Sequence, residues 1–206
     1  MSQASTCLPP SAAIFADPQD DIDCMMRLKA GDASAMELLL ARYQRAIHGY
    51  LYRMVQNSSA AEDLTQDTFL RVYRARLNYQ VSAKFSSWLY RIATNLAMNW
   101  IRDHRRDRYA STLEDAAVSR ASRRLFSVSS NPERLLLREE RLHRVRDAVA
   151  ALPERQRAAV LLHKYGGLDY SEIARVLDCT ISAVRALMAR AFVFLRSRLA
   201  AEALPA

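Results

Sequence analysis

The sequence predicts an all-α protein of two small helical domains joined by a flexible linker, and three observations carry that reading. Only 4 Gly and 6 Pro occur in 206 residues, whereas a β-rich chain needs turn residues roughly every ten positions. Apolar residues recur at three- and four-residue spacings over long stretches, which is the period of a helix with one buried face. Residues suited to cap a helix stand where those stretches begin. With 50% hydrophobic residues, the chain can bury a core in each of two domains.

Residues 1–21 hold Ser, Thr, several Pro and an acidic end, and read as a flexible tail. The chain becomes helical from Ile22. Between Ala33 and Met54 the residues Met36, Leu39, Leu40, Tyr43, Ile47, Leu51 and Met54 form an amphipathic stripe, which Asn57, Ser58 and Ser59 stop. Ser59 and Glu62 have the spacing of a capping box, in which each side chain satisfies a free backbone N–H. That helix should run to about Arg76. Leu77–Lys84 lacks a helical stripe and reads as a loop. Ser86 or Ser87 caps the next helix, where Leu89, Ile92, Ala93, Leu96 and Trp100 face inward, and a basic run from Arg102 to Arg108 closes the first domain, 22–108.

Residues 109–130 are rich in Ser, Ala and Arg without a sustained period, and read as a linker with a short helical stretch near Val118–Leu125. Order resumes at Asn131 and Pro132, an N-cap followed by a first helical residue. Leu135, Leu142, Val145 and Val149 mark one helix. Pro153 begins another, which Gly166 and Gly167 end. Asp169 and Glu172 open a short helix to Leu177, Asp178 and Cys179 turn the chain, and Thr180 caps a last helix from Ile181 to about Leu199. The second domain is therefore 131–200, followed by a tail at 201–206.

A net charge of +8 and a pI near 9.7 suit a polyanionic partner, because cations gain affinity by releasing counterions from nucleic acid; a basic protein without such a partner would show the same balance. Arginine outnumbers lysine, which favours bidentate phosphate or guanine contacts. Cys7, Cys24 and Cys179 are scattered, so neither a disulfide framework nor a zinc site is expected, and the cytoplasm is the natural compartment. No signal peptide or membrane span is expected. His48, His104, His143 and His163 are dispersed and no phosphate-cradling glycine loop occurs, so no enzyme chemistry, cofactor or metal is expected.

The short helix, turn and longer helix of the second domain form a helix-turn-helix, with Ile173, Ala174, Leu177, Ile181, Val184 and Met188 fixing the angle. An ordinary helical hairpin is the plain alternative. If the second helix enters a major groove, Thr180, Ser182, Arg185 and Arg190 are placed to reach phosphates or base edges. Leu152–Arg157, Val160–Leu162 and Gly167–Ala174 resemble region four of the sigma factors of bacterial RNA polymerase. That resemblance implies binding to the minus-thirty-five promoter element and packing on the polymerase flap. The chain departs from the family in having Asp178 where Gly is usual, a residue that tolerates left-handed geometry. It also carries Leu187, Phe192 and Phe194 where cations are common, which implies a weaker or differently specified upstream contact, or a protein-binding face.

In the first domain, Asp63, Gln66, Asp67, Leu70 and Arg74 share a helical stripe pointing away from Leu64 and Val72. A solvated face is its plain reading. However, Ala61–Tyr73 closely resembles region 2.2 of the sigma factors, which implies docking on the clamp coiled coil of the polymerase's largest subunit. Phe85–Ala97 resembles regions 2.3 and 2.4, which implies recognition of the minus-ten element and of its melted strand. The stripe Trp88, Arg91, Asn95, Asn99, Arg102 and Arg106 suits that role, since rings stack on unpaired bases, amides read edges and arginines hold backbone; Trp88 and Tyr90 would equally serve as core. Asn78–Lys84 lies where the family captures a flipped base, so Asn78 and Lys84 join this set.

With no counterpart of region three or of an acidic region one, the chain is identified as a member of the compact extracytoplasmic-function group. Its implied partners are core RNA polymerase, promoter DNA and an anti-sigma factor, with no membrane insertion. Two other functions fit parts of the pattern. An operator-binding regulator would use only the helix-turn-helix, and a sigma-like interaction protein would occupy polymerase without initiating.

Overall fold

The computed structural model describes residues 18–81, 83–111 and 132–201, apart from the side chains at 18, 105–111, 132–139, 141 and 201. These residues form α1 (Pro18–Lys29), α2 (Ser34–Val55), α3 (Ser58–Ala75), a 3-10 turn (Arg76–Asn78), α4 (Phe85–Ser111), α5 (Pro132–Ala150), α6 (Glu154–Gly166), α7 (Tyr170–Leu177) and α8 (Ile181–Ala201). The proposed stretch Val118–Leu125, the cap at Asn131, most of both tails and most of the linker lie outside the described residues.

Helices α1 to α4 pack around Met25, Leu28, Leu39, Ile47, Tyr50, Leu51, Met54, Val72, Phe85 and Leu89, all essentially inaccessible. Full burial of one such aliphatic side chain contributes about 1.5–3 kcal/mol. The Tyr50 hydroxyl meets Thr94 Oγ1 at 2.8 Å, a polar pair buried in this core between α2 and α4. The first helix starts at Pro18, ahead of the expected Ile22. Proline suits a first helical position, Asp20 and Asp21 favour the positive end of the helix dipole, and Asp21 is buried where Arg42 and Tyr43 both donate to it. Burial and the Asp21 carboxylate together push the Tyr43 phenol well above its ordinary range.

Two helix starts differ from expectation. Asn57, with extended backbone, caps α3 by accepting from the Ala60 N–H at 3.0 Å, so Ser59 is already helical and makes no capping box. Helix α4 begins at Phe85, ahead of Ser86 and Ser87, so neither serine caps it. Ser87 is buried and its hydroxyl points at Glu172. Helix α4 also continues through the basic run to Ser111, since no Gly or Pro interrupts it.

In the second domain the punctuation is as the sequence suggests. Gly167 (φ 64°) closes α6, and a complete Asp169–Glu172 capping box opens α7. Asp178 takes the left-handed turn at φ 50°, and Thr180 Oγ1 accepts from the Ala183 N–H at 3.1 Å. Ala158, Leu161, Leu162, Ile173, Val176, Val184, Met188 and Ala191 form the core. Helix α5 differs: Leu142 and Val145 are exposed, Val149 packs partly buried against the core, and Ala148, with Leu152 just beyond the helix end, is buried. Leu135 has no described side chain.

The two cores are continuous. Helix α4 packs on α6 and α7, and α2 packs on α6. No helix among the described residues is long and apolar enough to cross a membrane.

Candidate polymerase and nucleic-acid interfaces

Helix α3 buries Leu64, Thr65, Thr68, Phe69 and Val72, which turns the opposite stripe outward. Asp63, Gln66, Leu70 and Arg74 are exposed, and the Asp67 carboxylate, 36% accessible, lies 3.2 Å from Arg71 Nε. Next to this stripe Tyr73 is exposed, with the Arg76 guanidinium 4.0 Å from its ring centroid. Neither Arg71 nor Tyr73 belongs to the stripe that the sequence marks. The four-residue spacing from Asp67 points to Arg71, whereas an aromatic beside a helical stripe is indistinguishable from a core residue. The face offers two carboxylates, an apolar centre at Leu70 and a basic end, which suits another protein's helix rather than DNA.

On α4, Arg91, Asn95, Asn99 and Arg102 are exposed and share one side of the helix. Arg102 Nη2 donates to Asn99 Oδ1 at 3.0 Å, which orients the amide. Trp88 is only partly accessible, packing edge-on against Tyr79 (5.1 Å between centroids) and tilted against Phe85 (5.9 Å). It is thus both a core residue and a ring at the margin of the polar stripe. Arg106 lies on this helix without a described side chain.

The loop before α4 is held by Tyr79, whose ring is buried and whose carbonyl accepts from Lys29 Nζ at 3.1 Å. Asn78 is exposed beside it, as are the apolar Leu77 and Val81, which the absence of a period concealed. Lys84 does not stand free: its Nζ lies 3.0 Å from the Glu172 carboxylate of α7. A cleft of about 660 Å³ follows, lined from α4 by Arg91, Asn95 and Arg102 and from the second domain by Glu154, Arg155 and Asp178.

Thr180, Ser182 and Arg185 are exposed on the first turns of α8, where a groove-entering helix presents its readers. Arg190 is exposed as well, but roughly 140° around the helix from Arg185 at 100° per residue, so the two cannot address the same base step. Of the three apolar departures, Leu187 packs against the core, Phe194 is half-buried, and Phe192 is half-exposed. Cys24 is buried and Cys179 partly so, both as free thiols. Among the described residues no three His, Cys, Asp or Glu side chains converge as a metal site.

Sequence comparison matches Sigma-70 region 2 to residues 39–107 and Sigma-70, region 4, to residues 142–195. The RNA polymerase sigma-H factor of Pseudomonas aeruginosa is 36% identical over 175 residues, covering 84% of this chain and 90% of its own. The ECF RNA polymerase sigma-E factor of Escherichia coli K12 is 36% identical over 166 residues, covering 80% of this chain and 86% of its own. Among solved structures, CnrH in complex with the cytosolic domain of CnrY has a TM-score of 0.65 at 23% identity, covering 89% of this chain and 99% of its own. The sigma factor RpoE of Bartonella quintana, in complex with the anti-sigma factor NepR, has a TM-score of 0.64 at 20% identity, covering 79% and 95%. At those identities the structural likeness concerns the fold.

Proposed function

Because the chain belongs to the sigma-70 family of RNA polymerase sigma factors, in its extracytoplasmic-function group, and directs promoter-specific initiation, we propose how its surfaces divide that work. The α3 face of Asp63, Gln66, Asp67, Leu70 and Arg74 grips the clamp coiled coil of the polymerase's largest subunit. The α4 face of Trp88, Arg91, Asn95, Asn99, Arg102 and Arg106, with Asn78 and Lys84 from the preceding loop, recognises the minus-ten element and holds its melted strand. Thr180, Ser182 and Arg185 read the minus-thirty-five element, with Arg190 anchoring phosphate, while the second domain rests on the flap. Residues 22–108 and 131–200 are the corresponding domains, and 109–130 links them.

The observation that carries this division is the outward polar face of α4, set against a buried apolar one on the same helix. Opening a duplex costs stacking and pairing, so a melting protein must prefer the unpaired strand. Exposed amides and guanidinium groups flanked by a half-open tryptophan provide that preference. The chain acts through binding alone, without chemistry of its own, and works in the cytoplasm. An anti-sigma factor is its proposed regulator, in keeping with the fold neighbour solved with one.

The test is the dependence of promoter binding on core polymerase. The purified chain should shift promoter duplex weakly alone and tightly with core enzyme. Tight, specific duplex binding without core would favour an operator-binding regulator, and binding to core without promoter-specific transcripts would favour an interaction protein.

A further inference from the structure

The turn of the helix-turn-helix puts an aspartate in a conformation that favours glycine. Asp178 takes φ 50° and ψ 60° at the end of α7, a left-handed geometry in which a Cβ crowds the following carbonyl. Gly167 makes the corresponding turn at the end of α6, at φ 64°, without that penalty. Among the described residues one other non-glycine residue takes a positive φ, Gln56 at the end of α2. There the strained residue supports itself: its side-chain amide donates to the Arg53 carbonyl at 2.8 Å, which satisfies a free carbonyl of the last helical turn. An aspartate carboxylate has no proton to donate. At Asp178 the donor comes from another helix. Arg155 Nη2, near the start of α6, reaches the Leu177 carbonyl at 2.8 Å.

That bond falls where the direction of α8 is decided. The peptide joining Leu177 to Asp178 is held at both ends, its carbonyl by Arg155 and its N–H by the Ala174 carbonyl. A planar peptide fixed in this way cannot rotate, so ψ of Leu177 and φ of Asp178 are set together. The Cys179 N–H also returns to the Ala174 carbonyl, at 3.0 Å, and completes the wrapped end of α7. Only Cys179 and Thr180 then separate Asp178 from α8, which starts at Ile181 with Thr180 as its cap. Val184 and Met188 bury the inner side of α8 in the domain core. Apolar burial is non-directional, whereas a bidentate contact to a base edge is not. Arg155 and Asp178 line the same cleft, so opposite charges flank the turn.

We propose that Arg155 is a positioning residue for minus-thirty-five recognition: its bond to the Leu177 carbonyl holds Asp178 in the left-handed turn and so sets the angle at which α8 presents Arg185. The strut rests on the reading of α8 as the upstream recognition helix. Arg155 acts through the backbone and need not touch DNA. Without it the Leu177–Asp178 peptide is free to rotate, the aspartate leaves its costly conformation, and Arg185 loses a fixed place in the groove. Lysine at this position keeps a charged donor for the same carbonyl. Methionine keeps the apolar stem and removes the donor.

The test measures the affinity of reconstituted holoenzyme, in competition, for a promoter duplex chosen from mapped transcript starts and for the same duplex with its minus-thirty-five element scrambled. Arg155→Met should lower the preference for the intact element about three- to tenfold. Its thermal transition and its affinity for the scrambled duplex should stay close to wild type. Arg155→Lys should keep most of the preference. Adding Asp178→Gly to Arg155→Met should restore it, because glycine enters the turn unaided. Arg155→Gln gives the same reading should the methionine variant fold poorly. An unchanged preference in a wild-type background that shows one would overturn the strut alone. So would an equal loss on both duplexes that Asp178→Gly fails to restore, which is the behaviour of a phosphate contact. A wild-type holoenzyme with no preference for the intact element defeats the reading of α8 and the strut together.

Discussion

Arg71 Nε lies 3.2 Å from Asp67 Oδ2, one helical turn apart on the outward side of α3. The carboxylate proposed to meet RNA polymerase is therefore already half of an ion pair. An exposed pair at this spacing is worth only about 0.3–0.5 kcal/mol, so it holds Asp67 in one orientation yet yields readily to a partner's cation.

Reversing that charge should separate docking from folding. Asp67→Arg places two cations side by side on an exposed helix, at a cost of a few tenths of a kcal/mol, and should leave the thermal transition nearly unchanged. Core polymerase should no longer retain the chain in a pull-down. Retention at wild-type levels by a folded variant would mean that the docking face lies elsewhere.

The helix-turn-helix makes a second expectation residue-specific. Arg185 stands with Thr180 and Ser182 near the start of α8, so Arg185→Ala should weaken the upstream contact by about 1–3 kcal/mol and relax its sequence preference. Arg190, on another side of the helix, should when replaced by Ala weaken binding about equally across sequences. Promoter-variant competition with the holoenzyme distinguishes the two behaviours, and identical profiles would remove Arg185 from the readers.

Cap identity can be checked by stability alone. Asn57→Ala removes the acceptor for the Ala60 N–H and should destabilise the first domain by about 0.5–2 kcal/mol. Ser59→Ala, inside the helix, should change little. Denaturant unfolding gives both values, and the reverse order would restore Ser59 as the cap.

Acid should loosen the start of α7. The Ser171 hydroxyl and the Glu172 backbone N–H hold the Asp169 carboxyl below the ordinary aspartate range. Because its folded-state value is depressed, the cap's contribution is present above the unfolded value and fades as pH falls through the folded one. A carboxyl-detected NMR titration should show Asp169 ionising below a typical Asp. A midpoint at or above the ordinary value would contradict the cap.

The distribution of what could be read from the sequence follows the range of the interactions. Asp169 with Glu172, Gly167, Asp178 and Thr180 act on backbone groups a few residues away, so their spacing reveals them. The buried and exposed faces of α3 and the polar stripe of α4 follow from period alone. Choosing among Asn57, Ser58 and Ser59 does not, because all three side chains can cap and only the entry angle of the chain selects one. The Asp21 network, the Lys29 bond to the Tyr79 carbonyl and the Glu172–Lys84 pair join residues far apart in the chain, and no local pattern marks them. Lys84 shows the consequence: the family resemblance of its loop implies DNA, while its observed partner belongs to the other domain.

The most direct measurement is genome-wide mapping of the 5′ ends of transcripts made by core polymerase reconstituted with the wild-type chain, with Asp67→Arg, and with Arg91→Ala/Asn95→Ala. The wild-type chain should add a defined set of starts sharing minus-ten and minus-thirty-five elements. The Asp67 variant should lose them, and the α4 variant should weaken them while still binding core. Starts no different from those of core enzyme alone, or a full set retained by both variants, would contradict this assignment of the two faces.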